Sequence, residues 1–588
     1  MIATPLLTAL LQVPAIATAQ DETEVTTGFP GLPMGHEPRV EIAWNRLYDV
    51  DGLYGHMDAL VEAYPDQLTM EVLTYSTENR ELRLYVLNDP ETGPAETKAA
   101  MWIDGNVHGN EVQCGEAVVY TAWYLLENRA TNERVAELLS RAAFYLVPTV
   151  NPDGRDHWFT DAGTASMFRS GHQPTDNDRD GVADEDGPND LDGNGHITQM
   201  RKYVPGKGTH REDPDDPRVM VRVPGDPDGP RGDWILLGYE GIDDDGDGRI
   251  NEDGAGGYDM NRAWPSGWQP EFVQRGAGHY PLYWPETRAV ASFLYDHPNV
   301  AAVQSFHNMG GMILRGPGTE SFGGYPAEDL RVFDALGADG ERMLPFYRYW
   351  ILWKDLYSVF GGFATWTYED LGIISFTNEM WSRRRNFPDE TRDDGGDRHF
   401  FDDHLLMGAG FTDWTPVEHP LYGSIEVGGF RKDVGRVPPT FLIEESLHRN
   451  ALFCIRHAEA MPHVTIEEPV LTSLGEDLWA VDVVFRNERR IPTRTARARD
   501  AGLGLPDRFE IVPGQRSEVL AGGFRTDRFR PDRIDLAEER PESLPSEAGI
   551  PGMGEVRVRW FLKGKGQFGV RWRGEKALDA RVRTQTPE

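Results

Sequence analysis

A histidine and a glutamate three residues apart can close on one cation. The stretch MWIDGNVHGNEVQCGEAVVYTAWYLL, residues 101–126, offers such a pair in His108 and Glu111. Spacing alone proves nothing: with 16 His and 96 Asp plus Glu in 588 residues, chance yields about two to three His-x-x-acid matches. The chain holds three: His108/Glu111, His210/Asp213 and His399/Asp402. Position separates them. Only His108 follows an apolar run through a Gly-containing turn, the carboxyl-end placement that α/β enzymes use for their sites. His210 falls in an acidic stretch and His399 in a charged loop, where solvation is expected. Zinc chemistry needs a third protein ligand and an open position, and His307, closing the apolar run AAVQSF, supplies the ligand. It also needs a carboxylate off the metal to take the proton of the metal-bound water. Glu379, the one acid emerging from IISFTNEMW, is placed for that. A single strand-end His is more often a satisfied polar group, but two of them at strand ends favour ligands.

The elements that position these residues follow from hydrophobic period. Leu53, Met57, Leu60, Val61 and Tyr64 mark one helix face, with Asp51 as cap. Strands are expected near Thr69–Ser76, Leu82–Leu87, Ala99–Ile103 and in FYLVPTV at 144–150, with a helix over Val112–Leu125. Helix and strand patterns return at Pro285–His297, Val300–Phe306 and Ile373–Phe376, and a last helix runs from about Thr440 to Ala460. Alternating strands and helices imply an α/β fold, a mixed sheet flanked by helices. Between Arg155 and Tyr258 the pattern collapses into an acidic, Gly- and Pro-rich block, an insertion into one domain. After Pro462, Trp479, Val481, Val483 and Phe485 alternate with neighbours, as do VRVRW at 556–560 and VRWR at 570–573, implying a C-terminal all-β sandwich. The divisions are thus 40–461 for the catalytic domain, with 155–258 inserted, and 462–588 for the β-domain.

In this order the motifs resemble those of the zinc carboxypeptidases of the pancreatic carboxypeptidase A type. The resemblance covers about residues 40–460 less the insertion, and rests on His108-x-x-Glu111, Asn151-Pro-Asp-Gly154, Asp259-Met-Asn261-Arg262, Ser305-Phe-His307, Tyr357 before Gly361-Gly362, and Phe376-Thr-Asn-Glu379. It implies that His108, Glu111 and His307 hold zinc and that Glu379 is general base, then acid. It implies that Arg169 polarises the scissile carbonyl, that Asn261 and Arg262 clamp the substrate's C-terminal carboxylate, and that Tyr357 is the mobile tyrosine over the bound residue. Two departures stand out. The family often carries Arg inside the first motif, where this chain has Asn110. Ala364, at the position that sets side-chain preference, offers no charge to select a charged residue.

The insertion has a pattern of its own. DNDRDG at 176–181, DLDGNG at 190–195 and DDDGDG at 243–248 are each the first half of a calcium loop, with oxygens at alternate positions and a Gly for the sharp turn. Asp176, Asp178, Asp180 and Asp184, then Asp190, Asp192 and Asn194, then Asp243, Asp245 and Asp247 are the candidate ligands. A Glu at the twelfth position is missing: Gly187, Arg201 and Gly254 stand there.

The formal net charge of -37 excludes a basic nucleic-acid footprint, and no apolar run is long enough to span a membrane. Residues 1–19 end in Ala17-Thr18-Ala19 and read as an export signal, followed by a linker over 20–39. The two cysteines, Cys114 and Cys454, give no disulfide framework. Together these readings describe an exported, periplasmic or extracellular, zinc carboxypeptidase acting on peptides with a free C-terminal carboxylate. A deacylase or amidase on the same scaffold, and a non-catalytic calcium-dependent binding protein, are the alternatives. The β-domain carries no motif that names its partner.

Overall fold

The strands Ala99–Gly105 and Val300–Asn308 are buried along their whole length, as continuous apolar runs must be when helices cover both faces of a sheet. In the computed structural model they sit side by side at the centre of an eight-stranded sheet. The structure describes residues 36–587 apart from 172, 226–228, 230, 386, 388–395, 528 and 531, so the expected leader and most of the linker lie outside the described residues. The spatial order is Leu68–Tyr75, Glu81–Leu87, Ala142–Val147, Ala99–Gly105, Val300–Asn308, Ile374–Met380, Met312–Arg315 and Arg348–Ile351. The four strands from Ala142–Val147 to Ile374–Met380 run parallel. His108, His307 and Glu379 therefore leave the sheet at one edge.

Trp102 packs on one face of the sheet with Trp264, Trp284, Trp366 and Phe293. Met101, pointing the other way, meets Cys454 of the helix Thr440–Glu459. That helix lies against Gln113–Asn128. The first helix is Val50–Ala63, and its cap is Asp49, whose side chain accepts the Gly52 N–H, rather than Asp51. Both cysteines are buried and free.

The acidic block is more ordered than its sequence suggests. Its strands Gln199–Gly208, His210–Glu212, Met220–Arg222 and Gly232–Tyr239 join Phe411–His419 and Gly423–Phe430 in a second, six-stranded sheet. The aliphatic contribution is small, chiefly Met200, Ile425 and Val427. On the opposite face of the same strand, the Arg201 guanidinium lies 4.1 Å from the Trp234 ring centroid and 4.3 Å from that of Trp414. His399 is also not solvated: on the helix Gly396–Leu405 it is buried between Phe411 and Phe430, and Asp402 is buried beside it, accepting the Gly410 N–H.

From Val464 onward two antiparallel sheets share one core, with Val481, Phe485 and Trp560 from one and Phe509, Val570 and Trp572 from the other. They dock on the first body through Asp329, whose carboxylate accepts the N–H groups of Ala496 and Arg497. Lys576 adds a bond to the Pro298 carbonyl, just ahead of the strand bearing His307.

Candidate active site

After Gly105 the chain turns through Asn106 in the left-handed region, φ 54°, a conformation Asn tolerates better than most residues. Its amide holds the carbonyls of His108 and Gly109. A Cβ on Gly109 would come within 2.3 Å of the Gly154 carbonyl carbon and 2.6 Å of the Phe168 oxygen, so only glycine lets the turn nest there. The Gly109 N–H then donates to the Arg169 carbonyl at 3.0 Å, and Asn151 Nδ2 donates to the same oxygen at 3.2 Å. Asn151 also caps the helix Pro152–Thr160. The Asn151-to-Gly154 motif thus fixes the backbone of Arg169.

His108, Glu111 and His307 converge, with one donor atom from each within 4.8 Å of the others. His108 Nδ1 lies 3.0 Å from Glu111 Oε1, His307 Nδ1 lies 3.0 Å from Glu111 Oε2, and the two Nδ1 atoms are 3.2 Å apart. Burial alone would raise the Glu111 carboxyl; the two imidazoles override it and hold it well below the usual range. Two imidazole nitrogens and a carboxylate from rigid elements fit zinc, which takes three protein ligands of this kind at catalytic sites. Glu379 stands opposite His307 on the adjacent strand. Burial, then the charge of Glu111, pushes its carboxyl up to about 7.

Asp259, the first residue of the Asp259-Met-Asn261-Arg262 motif, is central. Its Oδ1 is 3.0 Å from His108 Nε2, while its Oδ2 accepts from Arg169 Nε at 3.1 Å. Burial opposes its charge, but Arg169, Arg262 and His108 hold it well below the usual range. A carboxylate on the far nitrogen of a ligating imidazole fixes tautomer and ring orientation. Arg169 also donates to Glu111 Oε1 at 3.2 Å.

Asn261 Oδ1 accepts the Phe363 N–H at 2.8 Å and its Nδ2 lies 3.4 Å from His307 Nε2. Arg262 is buried, with Nη1 donating to the Asn261 carbonyl. Ala364 is buried in the helix Phe363–Glu369. Tyr357, 51% exposed at the end of the short helix Leu352–Leu356, has no hydrogen bond or ring contact to the cluster among the described residues.

Arg436 joins the cluster without any motif to announce it. From the segment after the strand Gly423–Phe430, its Nη2 lies 3.3 Å from Asn110 Oδ1, 3.5 Å from Glu111 Oε1 and 3.2 Å from the Asn308 carbonyl. No periodicity or motif links residue 436 to residue 111; only the fold brings them together.

The zinc carboxypeptidase family model matches residues 53–198 and 227–394. The chain belongs to this family. Carboxypeptidase B of Astacus astacus is 33% identical over 118 residues, which are 20% of this chain and 37% of that protein. Carboxypeptidase O of Bos taurus is 28% identical over 133 residues, 22% of this chain and 34% of that protein. The chain therefore spans about a third of the length of these curated relatives. The solved structure of thrombin activatable fibrinolysis inhibitor is 17% identical over 72% of this chain and 77% of that one, with a TM-score of 0.43. A second model, described as a domain of unknown function, matches residues 463–585. The gap between the two zinc carboxypeptidase segments falls inside the acidic insertion.

In that insertion Asp176, Asp178 and Asp180 gather, as do Asp190 and Asp192 with Glu240. The loops fold alike. Asp176 accepts from Arg179 and Gly181, and Asp243 from Gly246 and Gly248. Asp245 and Asp247 each accept the N–H two residues on. Asn194 accepts the His196 N–H, and Asp184 the Thr175 N–H.

Proposed function

We propose that this chain is a zinc-dependent carboxypeptidase that hydrolyses the C-terminal bond of peptides. The observation that carries the reading is the convergence of His108, Glu111 and His307 beside Glu379, with Asp259 behind His108. Zinc held by the first three residues supplies a Lewis acid for water and for the scissile carbonyl. Glu379 takes the proton of the attacking water and returns it to the leaving amine. A carboxylate held beside the metal but off it is suited to both steps. Arg169, oriented by Asp259, meets the carbonyl oxygen as negative charge develops on it. Arg262, beside Asn261, receives the substrate's terminal carboxylate. Arg436 brings a cation to Asn110, where the family often has an arginine in the first motif, and meets the next carbonyl along the peptide. Tyr357, exposed and unattached to the cluster, covers the bound residue. The uncharged Ala364 favours uncharged side chains.

We also propose that calcium orders the insertion, and that the enzyme works outside the cytoplasm, where such sites bind at about 10⁻⁴–10⁻³ M. The test compares peptide acids with their C-terminal amides, with and without a zinc chelator. Amides are expected to be poor substrates, because Arg262 would be left without its partner. Equal rates on acid and amide would remove the carboxypeptidase reading, and activity that survives chelation would remove the zinc.

A further inference from the structure

Two of the three aspartate-rich loops repeat one pattern over twelve residues, with seven identities: DNDRDGVADEDG at 176–187 and DDDGDGRINEDG at 243–254. Both end in Glu-Asp-Gly, so the carboxylates missing from the twelfth position stand instead at the tenth and eleventh. The loops meet face to face. Asp186 and Asp253, equivalent in the repeat, form an antiparallel bridge through N–H to carbonyl bonds of 3.3 and 3.2 Å. Carboxylates cross between them. Asp245 of the second loop gathers with Asp180 and Glu185 of the first, and again with Asp186 of the first and Glu252 of its own.

The two eleventh-position aspartates differ in one respect. Both are buried. Asp253 is satisfied by the N–H groups of Asn177 and Asp184. Among the described residues, neither oxygen of Asp186 has a hydrogen-bond partner, and the same holds for both oxygens of Glu185 and Glu252. The Asp244 N–H is near Asp186 but out of hydrogen-bond geometry. A buried carboxylate without a donor is costly, and Asp186 spends its burial aimed at two further acids. A hard divalent cation is the partner such oxygens lack. The middle loop is different: its Glu240 already accepts from Leu191 and Thr198.

We infer that loops 176–187 and 243–254 form one paired calcium site, in which Asp186 crosses from the first loop to complete ligation by Asp245 and Glu252 of the second. This rests on the calcium reading above and gives it ligands, a pairing and a purpose. Asn177 Nδ2 donates to the Gly254 carbonyl, and Ser170 bonds the Tyr258 carbonyl. The paired loops therefore close the stem of the insertion, with Arg169 at one foot and Asp259 at the other. Calcium held there braces the arginine–aspartate pair of the active site.

The test uses the full chain with zinc kept in place. Calcium is removed with a calcium-selective chelator and returned as calcium chloride, and calorimetric binding and Tm are read for the wild type, Asp186→Asn, Glu252→Gln and the double variant. Each single variant is expected to weaken one class of calcium binding about tenfold or more, and the double variant to be little worse than either, since both act on one ion. Asp186→Asn should lower Tm with calcium yet raise it by about 2 °C without, because the unpaired charge is gone. An equal fall of Tm in both conditions would make Asp186 a backbone cap like Asp253 and overturn the proposal. Calcium bound by the wild type but unchanged in both single variants would overturn the crossing alone. A wild type that binds no calcium would overturn the calcium reading as well.

Discussion

Replacing Asp259 by asparagine separates two jobs that one carboxylate performs. To ligate zinc, His108 must offer the Nδ1 lone pair to the metal, so Nε2 carries the hydrogen and donates to Asp259 Oδ1 at 3.0 Å. Arg169 takes Oδ2 through Nε and Nη2, at 3.1 and 3.0 Å. An amide has one oxygen and two N–H bonds, so it can serve one of these donors and must oppose the other. Loss of the histidine's carboxylate costs about 10- to 100-fold in metal affinity, or about 1.4–2.7 kcal/mol. Arg169 retains Glu111 at 3.2 Å but loses a charge-assisted partner worth about 1.5–3 kcal/mol. With zinc saturating, kcat/KM of Asp259→Asn should therefore remain roughly 10- to 150-fold below the wild type. Zinc buffers of graded affinity give the first quantity, and peptide hydrolysis at high free zinc gives the second. Zinc affinity within twofold of the wild type would refute the tutoring of His108, and full recovery of kcat/KM with excess zinc would refute the positioning of Arg169.

Glu379→Gln should retain one zinc per chain, measured by metal analysis, yet lose about 10²- to 10⁴-fold in turnover. The base works ionised, so wild-type kcat/KM should fall as pH drops through its pKa, about 7 in the metal-free site and lower with zinc's charge beside it; a flat acid limb would contradict the role. Arg436→Met should retain zinc and raise KM for peptides about tenfold, and an unaltered KM would remove Arg436 from the substrate. Burial pushes Asp507 up to about 7 in the β-domain, where Oδ2 accepts from Thr493. The native state then holds this proton over a range where the unfolded chain has released it, so stability falls as pH rises from about 4 to 7. Asp507→Asn should flatten that slope and raise Tm at pH 8, whereas an equal loss of Tm at pH 5 and 8 would contradict it.

The centre of the catalytic sheet was readable because its strands are buried on both faces and advertise it in unbroken apolar runs. His108, His307 and Glu379 were visible as polar residues at the ends of those runs. The second sheet was not, because its apolar core is small, chiefly Met200, Ile425 and Val427, and the other face of the same strand carries Arg201 against Trp234 and Trp414, so no apolar alternation marks it. Asp259 belongs to the Asp259-to-Arg262 motif, but its role depends on which nitrogen of His108 faces it, and no sequence pattern carries that. Arg436 is 325 residues from Glu111, and no local pattern reports a meeting at that separation. His399 looked solvated because its neighbours in sequence are charged, while its neighbours in space are phenyl rings.

The second sheet takes its strands from two widely separated parts of the chain, and that matters while the protein is being made. The bond between Arg201 and Glu426 spans 225 residues, which at about 5–20 residues per second is roughly 11–45 s of translation. By then Ile374–Met380 has already emerged, so the central sheet can assemble while Gln199–Gly208 still waits for Gly423–Phe430. During that interval the nascent chain presents an unpaired strand edge. Ribosome-stalled chains ending before residue 411 should be cut by protease within 199–239, and chains extended past 430 should resist.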